Sequence, residues 1–173
     1  KKPGRVGISV TDLSTGLTAF SAILRAIIQR SKTGIGIDLK VSMFDVMADW
    51  MNMPLLAHRY MGGAPRRTGL KHSFIAPYGA FKCLGDDLLL IAIQNNREFL
   101  IFCNQILKQP NLVTNPKFSD NPVRYENRAE LDTIINEVFA KIKIKSLTDK
   151  LDLYKIANAK LNSVADLSIH PFL

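Results

Sequence analysis

The chain has 173 residues, with 23 Lys and Arg against 15 Asp and Glu, a formal net charge of +8, 47% hydrophobic and 22% charged side chains. That composition excludes a disordered, collagenous or coiled-coil chain and supplies enough apolar residues to bury a core. Two cysteines, Cys83 and Cys103, are too few for a disulfide scaffold, so a reducing compartment is expected. The charge is uneven: residues 1–72 hold 11 basic and 4 acidic side chains, and residues 73–173 hold 12 and 11. A basic first part suits a polyanionic partner such as a phosphorylated cofactor, and equally a solvated lysine surface. No basic stripe interleaved with aromatics occurs, so no nucleic-acid partner is expected. Lys1-Lys2 ahead of the apolar stretch 17–28 superficially resembles a signal peptide, but Asp12 precedes that stretch, Arg25 interrupts it and no small-residue cleavage site follows. No apolar run is long enough to span a bilayer, so no membrane partner is expected.

Residues 5–10 alternate and are β-rich, which predicts a short strand. Residues 11–16 supply cap-type side chains, and Leu17, Phe20, Ile23, Leu24, Ile27 and Ile28 follow at helical spacing. Residues 31–34 end that helix. Residues 35–41 alternate as a second strand, with Ile35, Ile37, Leu39 and Val41 on one face. Ser42 can cap a second helix carrying Phe44, Val46, Met47, Trp50 and Met51. The order strand–helix–strand–helix is an α/β arrangement. Composition shifts at residues 61–69, a linker or functional loop. Residues 74–83 and 88–93 read as two strands around a turn at 84–87. An amphipathic helix is expected at 97–107, a loop at 110–122, a helix at 127–142 and a shorter one at 146–154. A strand at 157–161 and a turn at 164–168 close the chain.

Few residues suggest chemistry on pattern alone. Asp12 stands where a strand passes into a helix. Asp is a good N-cap there, and the same edge is where α/β folds bind ligands. Gly62, Gly63 and Gly69 can turn backbone N–H groups toward an anionic oxygen, or simply form a linker. The string is neither a Walker loop nor a dinucleotide fingerprint. His58, His72 and His170 pair with no cysteine or carboxylate at metal-ligand spacing, so no metal site is expected. Both cysteines are flanked by apolar residues and read as buried structural thiols.

The ordered motifs carry more. Arg5-Val6-Gly7-x-Ser9-Val10-x-Asp12-x-x-x-Gly16 comes first, then Arg30-x-x-Thr33-Gly34-x-Gly36 and Asp38-x-x-Val41-Ser42-Met43. Pro77-Tyr78-Gly79-x-Phe81, Asn95-x-x-x-Phe99 and Cys103 follow. Asn115-Pro116-x-Phe118, Asn121, Arg124 and Asn127-Arg128-x-x-Leu131 come next. Ile156-Ala157-Asn158-Ala159-x-x-Asn162 and His170-Pro171-x-Leu173 close the series. This set resembles class III CoA-transferases, the CaiB/BaiF family, over nearly the whole chain. Two departures are Ile35, where the family more often carries a basic residue, and Leu84-Gly85-Asp86, where a Thr/Ala-Asp-Gly turn is usual.

The resemblance implies an α/β fold: part of a Rossmann-like large domain followed by a smaller α+β domain, within a homodimer of interlocked chains. Residues 1–60 would be the C-terminal part of the CoA-binding domain, 61–73 a glycine-containing lid, and 74–173 the small domain. It implies that the 173 residues match the middle of a longer enzyme, with nucleotide-binding strands before Lys1 and a returning segment after His170-Pro171. Asp12 matches the family's nucleophilic aspartate, so Ser14 or Thr15 is expected to share the capping of its helix. Met43 matches a methionine of the coenzyme A cleft. Gly62 and Gly63 correspond by position to the shielding loop. Arg66, Arg67 and His72 lie where a short dicarboxylic acid such as succinate, itaconate, mesaconate or citramalate would be recognised. The implied activity is transfer of coenzyme A from an acyl-CoA donor to a carboxylic acid acceptor, in the cytoplasm and without a metal. Two other readings stand beside it: a racemase of the same family, and an incomplete polypeptide acting only in folding or association. The racemase needs a glutamate where this sequence has Gln94, and an amide carries no proton in acid–base work.

Overall fold

The computed structural model describes residues 4–85 and 87–173. It comprises two compact units, Lys1–Arg67 and Thr68–Leu173.

The first unit is helical. The apolar spacing of residues 17–28 does make a helix, α1 (Val10–Thr33), which begins seven residues before that run. It stops at Gly34, whose left-handed φ of 72° lets its N–H return to the Arg30 carbonyl. Ser42 caps α2 (Met43–Trp50) as expected, its Oγ accepting from the Asp45 N–H at 3.3 Å. A third helix, α3 (Asn52–Tyr60), follows at once. The two strands expected at 5–10 and 35–41 do not form. Alternation alone does not make a strand, because a strand needs a neighbour to take its N–H and C=O groups, and none lies beside these segments among the described residues. Their apolar side chains stay exposed, Ile8 at 63% and Ile35 at 72%. The apolar stripe of α1, from Leu13 through Ile28, is likewise exposed. Buried side chains in this unit, among the described residues, are limited to Ser14, Val46 and Ala57.

The second unit carries the core. Strands β1 (Tyr78–Lys82), β2 (Leu88–Ala92) and β3 (Ala157–Lys160) form an antiparallel sheet in the order β1-β2-β3. Phe81 faces Leu89 and Gly79 faces Ile91 across the first pair, and Leu89 faces Lys160 across the second. The turn expected at 84–87 includes Asp86, which lies outside the described residues. After β2 the chain forms α4 (Asn96–Ile101), which runs without a break into a π-helical stretch, Phe102–Leu107. The wider turn places Phe102, Cys103, Ile106 and Leu107 all inside. The loop expected at 110–122 is broken into α5 (Asn111–Thr114), a 3-10 turn (Pro116–Phe118) and the start of α6 (Asn121–Glu126). The last two pieces are capped, the Asn115 side chain accepting the Lys117 N–H and the Asp120 side chain the Val123 N–H, each with a Pro in its first turn. Helices α7 (Arg128–Phe139) and α8 (Ile144–Leu153) precede β3, and α9 (Val164–Ser168) ends the element order. The inward face of the sheet packs on these helices around Phe139, whose ring meets Phe81 at 5.9 Å and Phe102 at 6.2 Å, both edge-on. Leu131, Ile135, Leu147 and Leu151 complete the contact from α7 and α8.

Among the described residues the sheet is antiparallel and confined to the second unit, so the strand–helix–strand–helix order expected of the first 60 residues is not found. No described helix is long and apolar enough to cross a membrane.

Candidate functional site

Asp12 is the third residue of α1, not the end of a strand. The chain turns just ahead of the helix, with the Val10 N–H donating to the Ile8 carbonyl at 2.9 Å. Ser9 occupies the N-cap position, and its side chain makes no cap bond. Ser14 and Thr15 do not share the capping as expected. Their hydroxyls donate backward to the Thr11 carbonyl at 3.1 and 2.7 Å, the ordinary use of these residues inside a helix. Asp12 is therefore exposed in the first helical turn, where the unpaired N–H groups of the helix end favour its negative charge. No side-chain hydrogen bond or ion pair engages it among the described residues.

The extended residues before α1 fold back to make a hollow of about 230 Å³, lined by Arg5, Val6, Ile8, Ser9, Val10, Thr11 and Asp12. Asp12 and Arg5 thus both line one small open cup. The carboxylate can meet an electrophile from solvent, and Arg5 can draw an anion to the same place. In the sequence Arg5 stands out only as part of a motif. Its sharing of the cup with Asp12 depends on the turn at Ile8–Val10, which no local propensity announced.

Met43 is the first residue of α2 and is exposed. It lines neither that hollow nor the larger apolar groove of the same unit. That groove, of about 470 Å³, is formed by Phe44, Met47, Met51, Leu55 and neighbours on α2 and α3. Gly62 and Gly63 adopt φ of 81° and 137°, values that side-chain-bearing residues rarely accept. A Cβ at either would meet nothing within 4 Å, so their requirement is conformational and not steric. Arg66 and Arg67 follow on the exposed end of the first unit.

His72 belongs to the second unit. Its Nδ1 accepts the N–H groups of Phe74 and Ile75 at 3.1 and 3.2 Å, and its ring stacks on Tyr78 at 4.9 Å. An Nδ1 that accepts is unprotonated, so the ring carries its hydrogen on Nε2. Gln94 follows the sheet directly, its backbone N–H donating to Glu98 Oε2 at 2.8 Å, and Asn95 caps α4 beside it.

Comparison with known proteins agrees across the chain. The model of CoA-transferase family III matches residues 1–172. An acyl-CoA transferase of Fusarium pseudograminearum is 32% identical over 169 residues, which is 98% of this chain and 37% of that protein. The human succinyl-CoA:glutarate CoA-transferase is 36% identical over 139 residues, 79% of this chain and 31% of that protein. A CAIB/BAIF family protein from Brucella suis superposes with a TM-score of 0.72 at 28% identity, covering 99% of this chain and 45% of that one. The chain spans less than half the length of these relatives.

Proposed function

The chain belongs to CoA-transferase family III, and from that premise we propose that it carries the nucleophile of a transferase that moves coenzyme A from an acyl-CoA to a carboxylic acid. The observation that carries the reading is Asp12: an exposed carboxylate with no side-chain partner among the described residues, in the first turn of α1 and in one cup with Arg5.

The chemistry balances at that atom. A carboxylate oxygen of Asp12 attacks the thioester carbonyl, the C–S bond breaks, and a mixed anhydride and a thiolate result. The thiolate then attacks the Asp12 carbonyl carbon. The donor acid leaves and an aspartyl thioester remains. An acceptor carboxylate reverses both steps and departs as the new thioester, restoring Asp12. One thioester replaces another, so the exchange draws on no nucleoside triphosphate. Both intermediates are open to hydrolysis, which gives the glycine-containing segment at 61–69 a use as a lid. Gly62 and Gly63 supply its conformational freedom, and Met43 is assigned to the coenzyme A cleft.

Arg66 and Arg67 suit the far carboxylate of a short dicarboxylic acid, through paired guanidinium hydrogen bonds. His72 can add its Nε2–H. The glutarate in the name of the human relative belongs to the same class of acid. The large domain of Rossmann type, the interlocked homodimer and the cytoplasmic setting belong to the same reading. Gln94 favours transfer over racemisation, since its amide cannot shuttle a proton.

The test uses succinyl-CoA as donor and a panel of mono- and dicarboxylates as acceptors, assayed in the complete polypeptide. Asp12→Ala is expected to lower transfer by at least about a thousandfold. Hydroxylamine added during turnover should convert Asp12 to its hydroxamate, read by mass spectrometry. An active Asp12→Ala enzyme overturns the assignment, and a preference for monocarboxylates removes the roles given to Arg66 and Arg67.

A further inference from the structure

Residues 71–78 enter the second unit as a short irregular strap, and nearly all its main-chain carbonyls are held from elsewhere. Arg128 on α7 donates from one terminal nitrogen to the His72 carbonyl at 2.6 Å, and from the other to the Ile75 carbonyl and, at 3.4 Å, the Tyr78 carbonyl. Arg124 on α6 donates its Nε–H to the Ala76 carbonyl at 3.0 Å. Asn121 closes a two-way bond, its amide donating to the Phe74 carbonyl at 2.8 Å and accepting the Ala76 N–H at 3.0 Å. The Pro77 carbonyl takes the Ile93 N–H at 3.0 Å. Lys71 forms an ion pair with the buried Asp132, one helical turn beyond Arg128. From inside the strap, His72 Nδ1 takes two further N–H groups.

These arginines are not surface charges. Arg124 is 1% exposed and Arg128 9% exposed. Burial pulls the Arg124 guanidinium below its ordinary range, and its other donors go to the Phe118 carbonyl at 3.1 Å and Asn96 Oδ1 at 2.8 Å. Burying a cation is unfavourable unless its donors are used, and here they are used on main-chain carbonyls. Arg128 even leaves its Nε without a partner, which is costly. Its two terminal nitrogens span carbonyls three residues apart, a reach that only the planar fork provides. Opposite, a Cβ on Gly79 would come within 3.3 Å of the Leu70 carbonyl and of Lys71 Cα, so the strap's entry lies directly over β1.

We propose that Arg128, Arg124 and Asn121 form a positioning set that holds residues 71–78 in one conformation and so gives the glycine-containing segment 61–69 a fixed attachment at its C-terminal end. This rests on the lid reading above for its use in function, though not for its physical content. A lid that pivots at Gly62 and Gly63 needs one end that does not give, and the clamp supplies it. The freedom of the segment is then confined to residues ahead of the strap.

Amide hydrogen exchange on the full chain tests this directly. The amides of Phe74, Ile75 and Ala76 report the strap, and those of Leu89 and Ile91 report the sheet. Arg128→Gln is expected to speed exchange at Phe74 and Ile75 by about tenfold or more while the sheet amides keep their rates. Arg128→Lys should fall between the two, since one ammonium replaces a fork. Wild-type protection in either variant overturns the proposal. If Arg128→Gln costs the sheet its protection as well, Asn121→Ala decides. Faster exchange at Ala76 with an unchanged sheet supports the clamp, and an unchanged strap overturns it. None of these readouts involves Asp12 or coenzyme A, so failure of the transfer reading would show separately.

Discussion

The two thiols, the side chains most suspect as stray nucleophiles, are closed off residue by residue. Cys103 is fully buried, and burial pushes its thiol up to about 12 against a small opposing effect of Arg124. Cys83 is raised as well, by burial first and by the charge of Asp87 second. A thiol held protonated neither attacks nor binds metal. Both should therefore resist iodoacetamide at pH 8 in the folded chain and react after denaturation; labelling of the native protein at either would contradict the burial. Backbone strain marks a different residue. Lys155, following α8, sits at φ 55° in the left-handed region. Lys155→Gly is expected to raise stability by up to about 1 kcal/mol, and Lys155→Val to lower it, read as opposite shifts of the urea midpoint at constant slope. At this scale Asp12 was legible, because a resemblance of motifs singled it out. Arg124 and Arg128 stand in the same series of motifs, but nothing there announced their burial, which follows from the strap that arrives from about 50 residues earlier.

Elements were legible where a local signal had a partner to complete it. The runs at 88–93 and 157–161 became strands because β1, β2 and β3 lie side by side. The runs at 5–10 and 35–41 carry the same alternation and have no strand beside them among the described residues, so they remain irregular. The π-helical stretch was invisible for a related reason, since apolar residues at 99, 102, 103, 106 and 107 fit an α-helix equally well. Where an element's ends are fixed by side chains, they also respond to pH. In α9, Ser163 and Asp166 cap each other, the Asp166 carboxylate taking both the Ser163 hydroxyl and its N–H at 2.7 Å. The hydroxyl bond first, and the backbone bond second, hold this carboxyl below its ordinary value of 3.8. A depressed carboxyl stabilises the folded form above that value and loses its contribution as the pH falls through the lower folded one. Protection of the Ser163 amide, taken relative to the intrinsic exchange rate at each pH, should accordingly fall as the pH drops below 3.8, and Asp166→Asn should remove that dependence.

On the scale of the whole molecule the two units differ in kind. Apolar burial is concentrated in Thr68–Leu173, where one cluster joins the sheet to α4, α7 and α8. Residues 68–173 alone are therefore expected to unfold in one cooperative thermal transition, whereas a broad, shallow melt would show that the core needs the preceding residues. The first unit leaves Leu17, Phe20, Ile23 and Ile27 exposed along α1, each at 48% or more. It also carries most of the net positive charge of the sequence. Composition gave that charge no owner, and the fold assigns one member of it, Arg5, to the cup of Asp12.

The order of the sheet has a consequence in time. Strand β2 pairs with β1 across a short turn, but its other edge waits for β3, with Ala92 opposite Ala157. During synthesis, at about 5–20 residues per second, the apolar strand Leu88–Ala92 stands with one open edge for several seconds before its second neighbour emerges. An open apolar edge is a template for any other chain in the same state. Crowded ribosomes making this protein would thus hold many copies of one sticky strand, each waiting for the same four residues.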